Sequence, residues 1–276
     1  MHAIDALIEL ALEEDIGPGD ITTDHLIPPG LCGKATITAK EPLTICGYAV
    51  ARKVFERLDG QVRFRPCFED GDAVGKGACA AEIEGSLAAL LTGERTALNF
   101  LQRLSGIATL VRSYVDGLAG KPVKLVDTRK TTPGWRILEK YAVRMGGAHN
   151  HRMGLYDGVL IKDNHIAVCG GIRQAVERIR AKVHHLIKIE VEAASLDQVS
   201  EALAARVDVI MLDNMNQDQI RQAVQVIDGR ALVEVSGGVT QKNIARMAAT
   251  GVDLISVGAL THSARAMDLS MQIAPA

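Results

Sequence analysis

Residues 187–239 read IKIEVEAASLDQVSEALAARVDVIMLDNMNQDQIRQAVQVIDGRALVEVSGGV, and the fold class follows from them. Apolar runs at 186–192, 207–214 and 231–238 each end in polar or small residues, and helical spacing fills the intervals. Near-continuous apolar strands suit a parallel sheet covered on both faces, because neither face is left for water. The helix starts carry their own signal. Ser195 with Gln198 and Asn216 with Gln219 are spaced as capping boxes, which satisfy amides that the first helical turn leaves without partners.

The same grammar extends outward to 123–130 (VKLVDTRK), 158–165 (GVLIKDNH) and 252–263 (VDLISVGALTHS). Strand-end residues Glu192, Asp213, Ser236 and Gly258 recur at intervals of 21, 23 and 22, the length of one βα unit, with no accompanying sequence repeat. The segment 107–263 is shorter than the ~250 residues of a complete eight-unit barrel, so an incomplete barrel or a doubly wound sheet is predicted. Either architecture binds ligands at the carboxyl ends of its strands.

Upstream the pattern changes. Residues 33–85 alternate short β-prone pieces (KATITAK, LTICGY, QVRFRP, ACAAEIEG) with glycine-containing turns, the signature of a second domain of mostly antiparallel strands. Apolar Ile4, Leu7, Ile8 and Leu12 predict an amphipathic N-terminal helix with acids where a secretion signal needs bases. Thr92 is the expected N-cap of a long helix over 92–118, with Ser105-Gly106 as a candidate break.

Composition narrows the function. Lys plus Arg number 31 against 33 Asp plus Glu, a formal charge of -2, and aromatics make up 3% of 276 residues, so neither nucleic acid nor an anionic membrane is expected as partner. Apolar runs fall short of the ~20 residues of a membrane span. The five cysteines (Cys32, Cys46, Cys67, Cys79 and Cys169) contain no C-x-x-C pair, which predicts reduced thiols in the cytoplasm rather than a disulfide framework or a zinc site.

Cations nevertheless gather at the strand ends: Arg129 and Lys130 after the first run, Lys162 with Asp163, Asn164 and His165 after the second, and His149, His151 and Arg152 in MGGAHNHRMG between them. So many like charges in one cleft call for a polyanionic ligand. Glu192 and Asp213 end neighbouring strands and suit Mg²⁺ held through water; Glu190 and Glu192, two apart, point the same way, and their separate roles stay open. VSGGV and SVGALTHS end strands in small residues that bare backbone amides before a helix start, a phosphate-binding arrangement.

In order and spacing, GERTALNFLQRLSGIAT (93–109), the long segment 127–165 from DTRKTTPGW to VLIKDNH, EVE, IMLDN, VSGGV and GVDLISVGALTHS resemble the quinolinate phosphoribosyltransferase family, the carboxylating nicotinate-nucleotide pyrophosphorylases of NAD biosynthesis. The likeness runs from EDIGPGDITT to MDLS, and the segment 127–165 is its most specific part. Two departures stand out: Ala148 replaces one glycine of the usual triple before NHR, and Trp135 replaces the usual Leu after TTPG.

The resemblance implies an α/β sandwich domain (1–106, rejoined by 264–276) and an incomplete α/β barrel (107–263), in a cytoplasmic homodimer whose further assembly it leaves open. It implies that Arg129, Arg152 and Lys162, with His151 nearby, hold the quinolinate carboxylates, joined by Arg95 from the partner chain. It makes Lys130, Glu192 and Asp213 the catalytic ligands of phosphoribosyl pyrophosphate and its Mg²⁺, beside Thr128. Ser236, Gly237, Gly238, Val257, Gly258 and Ala259, with His262 close by, become the 5′-phosphate cradle, and no organic cofactor is implied. Three alternatives remain: the molybdenum-transport-associated paralogues, which lack the full NHR…KDNH set; a Schiff-base enzyme using Lys162; and a non-catalytic nucleotide-binding regulator.

Overall fold

The computed structural model describes residues 2–118 and 120–275. Two compact units emerge. The first gathers the chain up to Arg112, Thr131–Gly147 and the chain from Leu260 on; the second holds Ser113–Lys130 and Ala148–Ala259.

In the first unit α1 (His2–Ile16) and α2 (Ile21–Leu26) precede β1 (Cys32–Ala39), β2 (Leu43–Thr44) and α3 (Tyr48–Leu58). β3 (Arg63–Pro66), β4 (Ala73–Val74) and β5 (Cys79–Ser86) follow, then the long helix α4 (Leu87–Gly117) begins. Four antiparallel strands lie in the order β12-β1-β5-β3, where β12 is Leu269–Pro275, and β2 pairs with β4. Alternation in β1 buries Ala35, Ile37 and Ala39 while Lys34 faces out to Glu84 at 2.9 Å. Ile8 and Leu12 of α1 are buried, as the amphipathic pattern predicts.

α4 departs from its sequence-based expectation at both marked points. It starts at Leu87, whose N–H is satisfied by Leu31 O at 2.8 Å, so no side-chain cap is needed; Thr92 lies inside the helix and donates to Asp20. Ser105-Gly106 does not break it. A Cβ at residue 106 would lie 1.9 Å from Arg265 O, so the glycine admits a crossing backbone. The same unit contains α5 (Arg136–Met145), where fully buried Glu139 accepts hydrogen bonds from Thr132 N, Thr132 Oγ1 and Arg103 Nη2. Trp135, one of the family departures, stacks on Phe100 with centroids 4.7 Å apart.

The second unit is a run of βα units: β6 (Lys124–Val126), β7 (Val159–Ile161), α6 (Asp163–Cys169), α7 (Ile172–Arg180), β8 (Ile189–Ala193) and α8 (Leu196–Ala204). β9 (Val209–Asp213), α9 (Gln217–Ile227), β10 (Leu232–Ser236), α10 (Ile244–Ala248), β11 (Leu254–Ser256) and α11 (Ala259–His262) complete the series. All six strands are parallel in the order β6-β11-β10-β9-β8-β7. The first strand therefore neighbours the last, which is barrel winding; a doubly wound sheet reverses its order about an interior strand. Among the described residues, the bridge between Val126 and His149 reaches from β6 toward the segment before β7. Asn216 and Gln219 form the reciprocal capping box, whereas Gln198 reaches one residue past Ser195 to the Ala194 N–H.

Candidate active site

Sheet register brings the strand ends of the second unit to one level. Val126 pairs with Ser256, Ser236 with Asp213, Leu212 with Ala193, and Val191 with Ile161. The residues just beyond these points face one rim. They are Thr128, Arg129 and Lys130 after β6, Lys162 after β7, Glu192 and Asp213 on β8 and β9, Ser236–Gly238 after β10, and Val257–Ala259 after β11.

Two guanidiniums dominate the cationic side. Burial pushes Arg152 below the ordinary guanidinium value and the neighbouring positive charge of Arg129 adds to the effect, while Glu190, Asp157 and Glu192 oppose it. Arg152 is held by donation from Nη1 to Gly158 O at 2.9 Å. The loop that carries it is itself tied: Asp157 accepts from the N–H groups of Met153 and Gly154. Like charges this close raise the free energy of the empty site, and an anion between them relieves that cost. Lys162 forms an ion pair with Glu192 Oε1, its side chain 43% exposed. His165 accepts the Lys162 N–H at 3.0 Å and so orients that turn.

Beneath the rim lies a buried polar cluster. The Arg152 N–H donates to His151 Nδ1 at 2.8 Å, so the ring's proton sits on Nε2, which donates to Glu190 Oε2 at 3.0 Å. Glu234 Oε2 lies 3.7 Å from the same Nε2. Glu234 is 1% exposed; burial, reinforced by the Glu190 charge and opposed by His151 and Ser256, pushes its carboxyl up to about 7. The Glu234 carboxyl therefore keeps its proton up to near neutral pH. Fully buried Asp127 accepts from Asn150 Nδ2 at 2.6 Å and His151 N at 2.8 Å, fixing the backbone of the NHR segment from below.

His151, Glu190 and Glu234 place three potential ligand atoms within 4.8 Å of one another. The Nε2–H tautomer speaks against a metal there, because ligation at Nε2 would move the proton to Nδ1 and set two N–H groups against each other. Glu192 and Asp213 suit Mg²⁺ better: they are half-buried carboxylates on adjacent strands, and the Lys162 pair engages only one Glu192 oxygen. Asp213 accepts from Asn214 Nδ2 at 3.0 Å.

The SGG turn depends on its glycines. Gly237 and Gly238 have φ of +89° and +63°, and a Cβ on Gly237 would come within 2.1 Å of Asn214 Oδ1. Here the sequence expectation is corrected. α10 begins only at Ile244, so the amides after β10 belong to a glycine turn rather than to a helix start, while α11 does begin directly after β11. Arg95 is an exposed residue of α4 in the first unit, and His262, also exposed, likewise belongs to that unit.

Glu234, Asp127 and Asn150 were absent from the sequence-derived site. A signal existed for the first: a carboxylate inside the apolar run LVEV is too costly to bury without a task.

Profiles of known families match nearly the whole chain. The profile described as quinolinate phosphoribosyl transferase, N-terminal domain, covers residues 20–105, and that of the C-terminal domain covers 107–272. The chain belongs to the quinolinate phosphoribosyltransferase family. A probable nicotinate-nucleotide pyrophosphorylase [carboxylating] of Bacillus subtilis is 46% identical over 260 residues, spanning 94% of this chain and 90% of the relative. Its counterpart from Synechocystis is 46% identical over 275 residues, 98% of this chain and 92% of the relative. Among solved structures, NadC from Streptococcus pyogenes superposes with a TM-score of 0.96 at 43% identity, covering 99% of this chain and 97% of that one. Within this quinolinate phosphoribosyltransferase chain, Ala148 is buried and Trp135 stacks on Phe100.

Proposed function

We infer that this chain transfers the phosphoribosyl group of phosphoribosyl pyrophosphate to quinolinate and releases pyrophosphate and CO₂, giving nicotinate mononucleotide for NAD synthesis. The observation that carries the reading is the Arg129–Arg152 pair, partly desolvated and mutually repelling, at the rim where carboxylates end the next strands. Quinolinate brings two carboxylates and the donor brings three phosphates, so a local surplus of cations in a net-acidic chain has a partner on both substrates.

In this reading Arg129, Arg152 and Lys162, with His151 beneath, hold the quinolinate carboxylates, and the partner's Arg95 completes that site in a homodimer. Lys130 and Thr128 face the donor, and Glu192 and Asp213 hold its Mg²⁺, which would neutralise pyrophosphate charge. Ser236–Gly238 and Val257–Ala259 take the 5′-phosphate on backbone amides. The pyridine nitrogen forms a bond to ribose C1 as the C1–oxygen bond to pyrophosphate breaks, and the ring becomes cationic. Loss of CO₂ from C2 then leaves an electron pair beside that cation, which takes up a proton. Positioning and charge stabilisation are what the side chains contribute.

Lys162 is ion-paired with Glu192, the setting of an anion-binding ammonium rather than of a desolvated Schiff-base nucleophile. The deciding assay is pyrophosphate release with quinolinate against nicotinate as acceptor. Quinolinate turnover with little from nicotinate is expected; comparable turnover of both would refute the reading. We place the enzyme in the cytoplasm, and no described helix is long and apolar enough to cross a membrane.

A further inference from the structure

In the first unit, two cysteines that are twelve residues apart in sequence meet through strand pairing. Cys67 Sγ and Cys79 Sγ are 3.4 Å apart, both as free thiols. The β3–β5 register that pairs Pro66 with Ala81 continues one step further, where the Cys67 N–H donates to Ala80 O at 2.9 Å. Tyr48 OH donates to the same carbonyl at 2.7 Å. The backbone on both sides is therefore fixed by hydrogen bonds, and a bond of ~2.05 Å needs a closure of roughly 1.3 Å, within reach of side-chain rotation.

We propose that Cys67 and Cys79 are a reversible thiol–disulfide pair, oxidised by low-molecular-weight disulfides of the glutathione class, that staples the segment 67–79. This segment positions the surrounding unit. Asp70 Oδ1 accepts the N–H groups of Gly47 and Tyr48 at the start of α3, and Asp70 Oδ2 accepts Tyr141 OH at 2.7 Å. β4, within the same segment, pairs with β2. A crosslink at its base would hold Asp70 against three donors from two helices and the turn before one of them.

The chemistry balances with the named oxidant. Cys67 is exposed, and its thiolate attacks one sulfur of the small disulfide, displacing one small thiolate and leaving a mixed disulfide. The Cys79 thiolate then attacks Cys67 Sγ and displaces the second small thiolate. Two protons and two electrons leave the protein, and the oxidant becomes two thiols. Burial, with the neighbouring Cys67 next in importance, pushes the Cys79 thiol up to about 11, so it acts as the resolving group and closure accelerates with alkaline pH.

The test uses the full chain with excess oxidised glutathione, an acid quench, alkylation, and mass spectrometry of tryptic peptides, which separate between the two cysteines at Lys76. The expected product is the Cys67–Cys79 peptide pair, lighter by two hydrogen atoms and released by dithiothreitol, with no bond to Cys32 or Cys169. Oxidised protein should melt higher than reduced protein by roughly 5–10 °C, a shift that Cys67→Ser and Cys79→Ser each abolish. A stable glutathione adduct on Cys67 with Cys79 still alkylated, or an equal thermal shift in either variant, would overturn the proposal. Neither readout depends on enzymatic activity, so the result stands apart from the functional reading.

Discussion

Glu234 is the residue at which the interior of the second unit becomes measurable. In the folded chain its carboxyl is pushed from 4.5 up to about 7, by burial first and by Glu190 next. Between these values the native state holds a proton that the unfolded state has released, so stability is fully present below about pH 4.5 and is lost as pH rises through about 7. A difference of about 2.5 units at 1.36 kcal/mol each corresponds to roughly 3 kcal/mol, and with the side chain 2% exposed there is no solvent screening to discount. Glu234→Gln keeps the shape and a donor while removing the titration, and its amide can satisfy Glu190 Oε1, which has no hydrogen-bond partner. Urea unfolding of both proteins at pH 5, 6, 7 and 8 cancels the other titrating groups. The variant should gain roughly 2.5 kcal/mol on wild type between pH 5 and 8, nearly all of it below about pH 7, with little further change above. Parallel stability curves would mean that Glu234 is ionised throughout, and would refute the upward shift that burial gives its carboxyl.

Three further outcomes test the site. Arg152→Ala should lower kcat/KM for quinolinate about 10- to 150-fold, the equivalent of one charge-assisted contact of about 1.5–3 kcal/mol, while the protein stays folded because the removed side chain is half-buried at the rim rather than in the core; unchanged kinetics would remove Arg152 from the carboxylate site. Asp213→Asn should raise the Mg²⁺ concentration for half-maximal rate roughly tenfold and leave quinolinate binding by calorimetry intact, since it removes the charge a hard cation prefers; an unaltered metal requirement contradicts the assignment. Mixing inactive Arg95→Ala and Lys162→Ala subunits should restore about one-quarter of wild-type activity after random re-pairing, because half the dimers are mixed and each keeps one intact site; no recovery despite verified exchange places Arg95 in its own chain's site or outside it.

What the sequence determined by itself is everything carried by local periodicity. Apolar runs that end in charge, recurring every 21 to 23 residues, specify parallel βα units and the rim where Arg129, Lys162, Glu192 and Asp213 emerge, because strand direction and helix spacing are properties of neighbours along the chain. Strand order was beyond that reach. Whether the first strand closes beside the last depends on pairing between residues more than a hundred positions apart, as Val126 with Ser256 illustrates. The start of α4 escaped for the same reason: a carbonyl from Leu31, not a nearby cap, satisfies Leu87. Convergence of side chains was likewise a tertiary matter. His151, Glu190 and Glu234 come from a loop and two strands of the second unit, and Cys67 meets Cys79 only through the β3–β5 register. Spacing along a chain constrains which face a side chain occupies, whereas the distance between two faces, and hence a buried polar cluster or a thiol pair, is set by register and packing.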